Sequence, residues 1–466
     1  MNQIDLAFTP ALEQAQLIRS KEISPLELTQ LYLERIQRLD LQIGSYFTVM
    51  AEEAIADAKI KTEQLTKTSE LPPFFGVPIS IKDLNPVIGV PCSRGNQLLK
   101  NHIATYDDGV VVRIRQAGCI ILGKTSTPEL GSFPYTEALA FPPTRNPWNL
   151  DYTPGGSSGG AAASLAAGLC AIAQGSDAGG SIRGPAFCCG LVGIKPSRGR
   201  VTNAPVGDYL NGMATNGPIA RTVADAAALL DIMSGYVTGD PYWLPDPNPS
   251  FLTGSQTRKL GNLRIAFTTE LFPLGEAVSS CKQAVLDTVE LLQNLGHTVE
   301  NATPDFSDLI EPFTIIWQSA VASSGLPPEA LEPMNRWLWE NKVSAGEYLQ
   351  AVHKVQVIAR KIVAFFDNFD MLLLPTYLHS PIRVGEWANL SPEERLQKII
   401  NWIAPCPPFN VSGQPAIALP IGLSDNNLPV GVQLVGKPAA DADVIALAAQ
   451  IELANSWRDR PSAFAL

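Results

Sequence analysis

The sequence predicts an α/β fold, and three observations carry that prediction. A helical pattern from about Asp108 to Gln116 stops at Gly118 and leads straight into the apolar run Cys119-Ile120-Ile121-Leu122. A second alternation, strand then helix then strand, covers Leu263 to Phe267, Val285 to Leu295 and His297 to Val299. Between them, residues 154–200 are dominated by Gly, Ala and Ser, with glycine turns separating apolar segments of strand and helix length. Such regular alternation is unlike a flexible linker, and the small residues suit close approach of backbones.

The elements follow in order. Ser24-Pro25-Leu26-Glu27 reads as a capping box with proline at the first helical position, and Leu28, Tyr32, Ile36 and Leu39 then share one helical face. Val77 to Ile81 reads as an apolar strand ending at Lys82-Asp83. Pro154 introduces a glycine turn, a small-residue helix up to Gly168, and the strand Cys170 to Ala173. Thr222 to Asp225 caps a helix from Val223 to Met233, and residues 236–260, rich in Pro, Gly and Asp, form a long connection. Residues 306–370 are mostly helical and carry Trp317, Trp337 and Trp339. Met371 to Leu374, Ala416 to Leu419 and Val430 to Val435 return to strand, and a last helix covers about 441–454.

Composition narrows the function. The chain has 466 residues, 45% of them hydrophobic, enough for a large core, and only 17% charged. A formal net charge of -11 disfavours nucleic acid and anionic membranes as partners. The seven cysteines sit mostly in apolar runs and read as buried free thiols of a reducing compartment. The four histidines and the cysteines show no zinc-ligand spacing, so no metal site is expected. Without a signal-peptide pattern or a membrane-spanning run, the expected location is the cytoplasm.

Three motifs compete for the chemistry. Gly118 to Thr125 formally matches a phosphate-binding loop, but its middle is the buried-strand sequence Cys-Ile-Ile-Leu, which cannot wrap a phosphate. Gly155-Gly156-Ser157-Ser158-Gly159 formally matches an esterase elbow, for which His379 is the available partner. The third candidate is the set Lys82, Ser157 and Ser181. Ser181 follows Asp177-Ala178-Gly179-Gly180, a turn of small residues whose N–H groups can converge on one point, as an oxyanion hole requires. With no histidine nearby, its base would be a lysine held neutral. That costs roughly 4–5 kcal/mol near pH 7. The apolar strand before Lys82 favours neutrality, and Asp83 beside it opposes it.

At this point a resemblance enters. Pro154-Gly155-Gly156-Ser157-Ser158-Gly159-Gly160, the run Gly175 to Arg183, Gly193-Ile194-Lys195-Pro196, Val77 to Asp83, Gly217 to Val223, Gly413-Gln414-Pro415 and Leu428 to Gln433 resemble the ordered blocks of the amidase signature family. The resemblance implies one domain over 1–466, built on a large mixed, twisted β-sheet with helices on both faces. Its parts would be an N-terminal helical part at 1–70, a catalytic core at 71–240, a variable and mostly helical insertion at 241–400, and a C-terminal return to the core at 401–466.

It further implies Ser181 as the acylated nucleophile, Ser157, held in a cis peptide, as proton relay, and Lys82 as base. The oxyanion donors would be the N–H groups of Ala178, Gly179, Gly180 and Ser181, with Asp177, Ser158 and Arg183 in support. No metal or organic cofactor is required. The partner is a small-molecule amide, neutral, aromatic or oligomeric, and a homodimer stays open. Phe133, Tyr135, Tyr209, Trp317 and Cys406 are the pocket candidates, and Gly184, where many members carry a larger residue, suggests a widened pocket. Two alternatives stand beside this reading: the glutamine-hydrolysing subunit of a tRNA amidotransferase and the esterase. The amidotransferase branch carries a Tyr-Asp-Gly-Val-Arg-Tyr segment that is absent between 240 and 400.

Overall fold

The computed structural model describes residues 3–67, 70–208 and 210–457. The strands among the described residues, in chain order, are β1 (Tyr46–Val49), β2 (Pro78–Lys82), β3 (Ile120–Thr125), β4 (Ile172–Asp177), β5 (Val192–Lys195), β6 (Thr215–Ala220), β7 (Arg264–Phe267), β8 (Glu270–Leu271), β9 (Gly275–Glu276), β10 (Thr298–Asn301), β11 (Met371–Pro375), β12 (Ala416–Leu423) and β13 (Pro429–Gly436). Eleven of them form one sheet in the order β1-β3-β2-β4-β6-β5-β12-β13-β11-β7-β10, and β8 with β9 makes a separate small hairpin. The sheet is mixed: β3, β2 and β4 run parallel, as do β11, β7 and β10, whereas β4-β6-β5-β12-β13 pair antiparallel.

Every residue of β2, β3, β6 and β13 is buried, whichever face it points to. Alternating side chains can all be buried only if both faces are covered, which is why these strands read as continuous apolar runs. Helices supply the cover. Pro25–Ile43 begins at Ser24 with the expected capping box and buries Leu28, Tyr32 and Ile36. Val223–Met233 begins at Thr222, whose side chain accepts from Asp225 N. Gly109–Gln116 ends before Gly118, whose φ of +78° turns the chain into β3. Residues 241–400 contribute the helices Ile310–Ala322, Pro333–Glu340 and Ala345–Phe365, and also β7, β10 and β11 at one edge of the main sheet. The seven cysteines are all buried and unbridged. No helix of the described residues is long and apolar enough to cross a membrane.

Candidate active site

Parallel β2 and β4 end side by side, and the candidate residues lie at or just beyond their C-terminal ends. Lys82 is the last residue of β2. Ser157 lies in the turn before the helix Gly159–Ala166, and Ser181 lies in the turn between β4 and the helix Arg183–Cys189. Three bonds tie the Ser157 turn to the Ser181 turn and to β4. Ser158 N donates to Ser181 O at 3.2 Å. The Ser158 hydroxyl donates to Ser176 O at 3.1 Å and accepts from Ser176 N at 3.2 Å. The Gly156–Ser157 peptide bond is cis.

The Lys82 amine is fully buried, 2.8 Å from Ser157 Oγ, 3.0 Å from Ser176 Oγ and 3.3 Å from Ser176 O. Burial pulls its pKa down from 10.5 to about 7, against a smaller upward pull from Asp177. Asp83 does not oppose this. Its carboxylate is turned away, paired with Lys124 at 2.9 Å and accepting from Ser93 N and Ser93 Oγ at 2.9 and 2.5 Å. Lys124, the lysine of the phosphate-loop match, is thereby fixed inside β3 and has no exposure.

Asp177 holds the second turn. Burial would raise its pKa, but the Arg183 guanidinium, paired with it at 2.9 Å, and Asn410 Nδ2 hold the carboxyl well below the usual range. Arg183 spans the site floor, donating also to Cys406 O, Gln433 Oε1 and Asn410 Oδ1. Asp177 Oδ1 takes the N–H of Gly180 at 2.7 Å, so Gly180 leaves the expected set of oxyanion donors. The N–H groups of Ala178, Gly179 and Ser181 have no acceptor among the described residues, and all three residues line a cavity.

That cavity has a volume of about 560 Å³ and reaches Ser157 and Ser181. Phe133 and Trp317 line it, in a T-shaped contact at 6.0 Å. Tyr135 does not reach the lining; it stacks against Phe133 from the side, 5.6 Å away, and meets Trp387 edge-on. Cys406 does not line it either. It lies wholly buried beneath the serine turn, where a Cβ on Gly180 would fall 3.0 Å from its Sγ. Tyr209 is outside the described residues. Gly184 does not widen the cavity: a Cβ there would stand 1.8 Å from Tyr377 Oη, so the tyrosine fills the room that the glycine leaves. His379 is bonded to Ser380 O and stacked on Trp402, away from Ser157, whose partner is Lys82.

Sequence reasoning missed most of the remaining lining, including Phe313, Tyr377, Asn85, Asp108 and Asn216. Asn85 lies three residues after Lys82 and Asn216 directly before the Gly217-Pro218 block, so proximity to a motif was a usable signal. Asp108 enters the sequence reading only as the approximate start of a helix; its side chain accepts from Val110 N and caps the helix Gly109–Gln116.

Comparison with known proteins agrees with this geometry. A family model described as Amidase matches residues 27–445. A provisionally named amidase of Synechocystis sp. is 54% identical over 452 residues, 96% of this chain and 89% of that protein. The 6-aminohexanoate-cyclic-dimer hydrolase of Paenarthrobacter ureafaciens is 34% identical, covering 98% and 97%. Among solved structures, a 6-aminohexanoate cyclic dimer hydrolase superposes with a TM-score of 0.93 at 32% identity over 99% of both chains. A bacterial aryl acylamidase of the amidase signature family reaches 0.87 at 27% identity over 98% of both. With its serine turns, its buried lysine and a family match across most of its length, the chain belongs to the amidase family, the amidase signature hydrolases of carbon–nitrogen bonds.

Proposed function

We propose that the protein hydrolyses small neutral, aromatic or oligomeric amides in the cytoplasm through an acyl-enzyme on Ser181, with Ser157 as proton relay and Lys82 as base. The observation that carries this reading is the surroundings of Lys82 Nζ. A neutral amine has two N–H groups and one lone pair, and three partners stand around it. Ser176 O and Ser176 Oγ accept the two N–H bonds, and the lone pair faces Ser157 Oγ. Lys82 then takes the Ser157 proton as Ser157 takes that of Ser181, and the Ser181 oxygen attacks the amide carbon. The N–H groups of Ala178, Gly179 and Ser181 face the oxyanion. On collapse the C–N bond breaks, the amine leaves with the proton returned through Ser157, and water repeats the sequence on the ester.

The purified chain alone, in EDTA, is tested on a panel of aryl and aliphatic amides beside free glutamine, with release of amine or ammonia as the readout. Ser181→Ala is expected to lose turnover and fluorophosphonate labelling while keeping its circular dichroism and melting profile. Labelling that persists in Ser181→Ala, or moves to Ser157, would refute the assignment. Turnover of glutamine alone, and only with added partner subunits and charged tRNA, would place the chain with the amidotransferase subunits.

A further inference from the structure

A chain of side-chain hydrogen bonds leads away from Lys82 along the cavity face of the sheet. Its first link has a fixed sense. The backbone N–H of Lys82 donates to Gln174 Oε1 at 3.0 Å, and a backbone N–H can only donate. Gln174 Nε2 must therefore face the other way, where its two N–H groups are shared among Asn85 Oδ1 at 3.0 Å, Asn216 Oδ1 at 2.9 Å and Gly175 O at 2.9 Å. Asn216 Oδ1 accepts a second bond from Asn85 Nδ2 at 3.0 Å, and the same nitrogen donates to Asp108 Oδ2 at 3.1 Å. Flipping the Asn216 amide would set its N–H groups against two donors, so its orientation is determined by the network.

The consequence is an unspent donor. Asn216 Nδ2 has no acceptor among the described residues, although Asn216 is only 5% exposed and that exposure opens on the cavity. Asn216 stands directly across from Ser176 in the β4–β6 ladder, so the two side chains share a face. Ser176 Oγ is the partner of Lys82 Nζ. Only β4 thus lies between the strand of the donor and the strand of the base. Asp108 also lines the cavity, accepts from Val110 N and Asn85 Nδ2, and has no salt-bridge partner among the described residues. Asn85 Nδ2 bonds both residues, so a fixed donor and a fixed acceptor flank a single nitrogen.

We propose that Asn216 and Asp108 form a recognition site for a second, non-scissile carboxamide of the substrate, with Asn216 Nδ2 donating to its carbonyl oxygen and Asp108 accepting its N–H. The inference rests on the amidase reading, because Ser181 must take a different carbonyl of the same molecule. A donor beside an acceptor matches an amide, which offers one of each. A bare ammonium would meet the Asn216 N–H groups head-on, and a hydrocarbon would leave both polar groups dry and unpaired. A site of this kind rejects analogues that lack the matching group more strongly than an apolar pocket rejects a change of size.

The test uses the full chain and three series of p-nitroanilides of graded chain length: ω-carbamoylalkanoyl, the matched branched alkanoyl, and the matched ω-aminoalkanoyl. The carbamoyl anilide of best length should exceed its alkanoyl match in kcat/KM by about tenfold or more, mainly through KM. Asn216→Asp keeps the oxygen that Asn85 and Gln174 need and removes the donor, so that ratio should collapse toward one. Its new charge beside the lysine lowers rates on every substrate alike, which the ratio cancels. Asn216→Ser, shorter and uncharged, should collapse the ratio as well. A ratio unchanged in both variants, or a wild type that prefers the ω-amino series, overturns the inference while leaving the amidase reading intact. Failure to cleave any anilide or other amide would remove both.

Discussion

Lys82 carries two opposed consequences of one placement. Burial brings its pKa from 10.5 to about 7, so near neutrality a large fraction is the free amine that can act as a base. Activity should therefore rise with pH through about 7 and level off above it, read as kcat/KM on a slow anilide. The same shift acts on stability. The unfolded chain holds this proton up to about 10.5, whereas the folded chain releases it near 7. Between those values the unfolded state binds more protons, so this residue's contribution to stability improves as pH rises across the window. Below pH 7 the cost of burying the lysine is at its full size, on the order of 4–5 kcal/mol. Lys82→Met removes that cost. It should melt higher than the wild type at pH 6, with the margin shrinking toward pH 10, and should lose about 10²–10⁴-fold in rate. A variant that melts lower at pH 6, or a flat rate profile from pH 6 to 9, would contradict this account. At this scale the sequence already shows the lysine at the end of an apolar strand, but not where Asp83 points. Lys124 and Ser93 decide that, and their approach to Asp83 is a tertiary event. Gly184 is similar, since its space is claimed by Tyr377 from far along the chain.

Helices and strands were the most legible features because their signals are local. The capping box at Ser24–Glu27 and the Thr222 cap are written within four residues, and each helix starts where its cap stands. What the sequence does not show is which cap serves a neighbour. Asp225, inside its own helix and fully buried, accepts from Ala11 N and Leu12 N at 2.9 Å each, and so caps the separate helix Ala11–Arg19. Asp225→Ala would strand both N–H groups and loosen the N-terminal helices from the core. The expected loss is about 2–4 kcal/mol in urea unfolding, with earlier proteolytic cleavage near residues 1–20. Asp225→Asn, which keeps one acceptor, should lose less. Equal stability of wild type and alanine variant would show that this helix docks by apolar contact alone. Glu129, next to the lining residues Leu130 and Gly131, makes another such tie. Glu129 is buried, and its carboxylate accepts from Asn96, Asn335 and the backbone of Glu332, three places no local pattern connects.

Across the whole molecule, the cavity is a joint product of distant parts of the chain. The strand ends and serine turns of residues 82–181 supply Lys82, Ser157 and Ser181, and Asn203, Asp208, Thr215 and Asn216 supply polar groups to the lining. More of the lining comes from the helix Ile310–Ala322, which contributes Phe313, Trp317 and Val321, and from Tyr377, Ile399 and Ile403. The two halves touch where Trp317 meets Phe133 edge-on. If this helical wall selects substrates by size, a separable prediction follows. Trp317→Ala removes a large apolar surface from the lining, and Trp317 takes no part in the hydrogen bonds of the Lys82 amine. For aryl amides KM should rise about 10–100-fold, equivalent to about 1–3 kcal/mol. For an amide too small to reach the wall, such as acetamide, kcat/KM should fall much less. The comparison is steady-state kinetics on both substrates with wild type and variant side by side. If the two lose equally, the wall only holds the fold together, and the selection of substrate size lies on the polar side of the cavity.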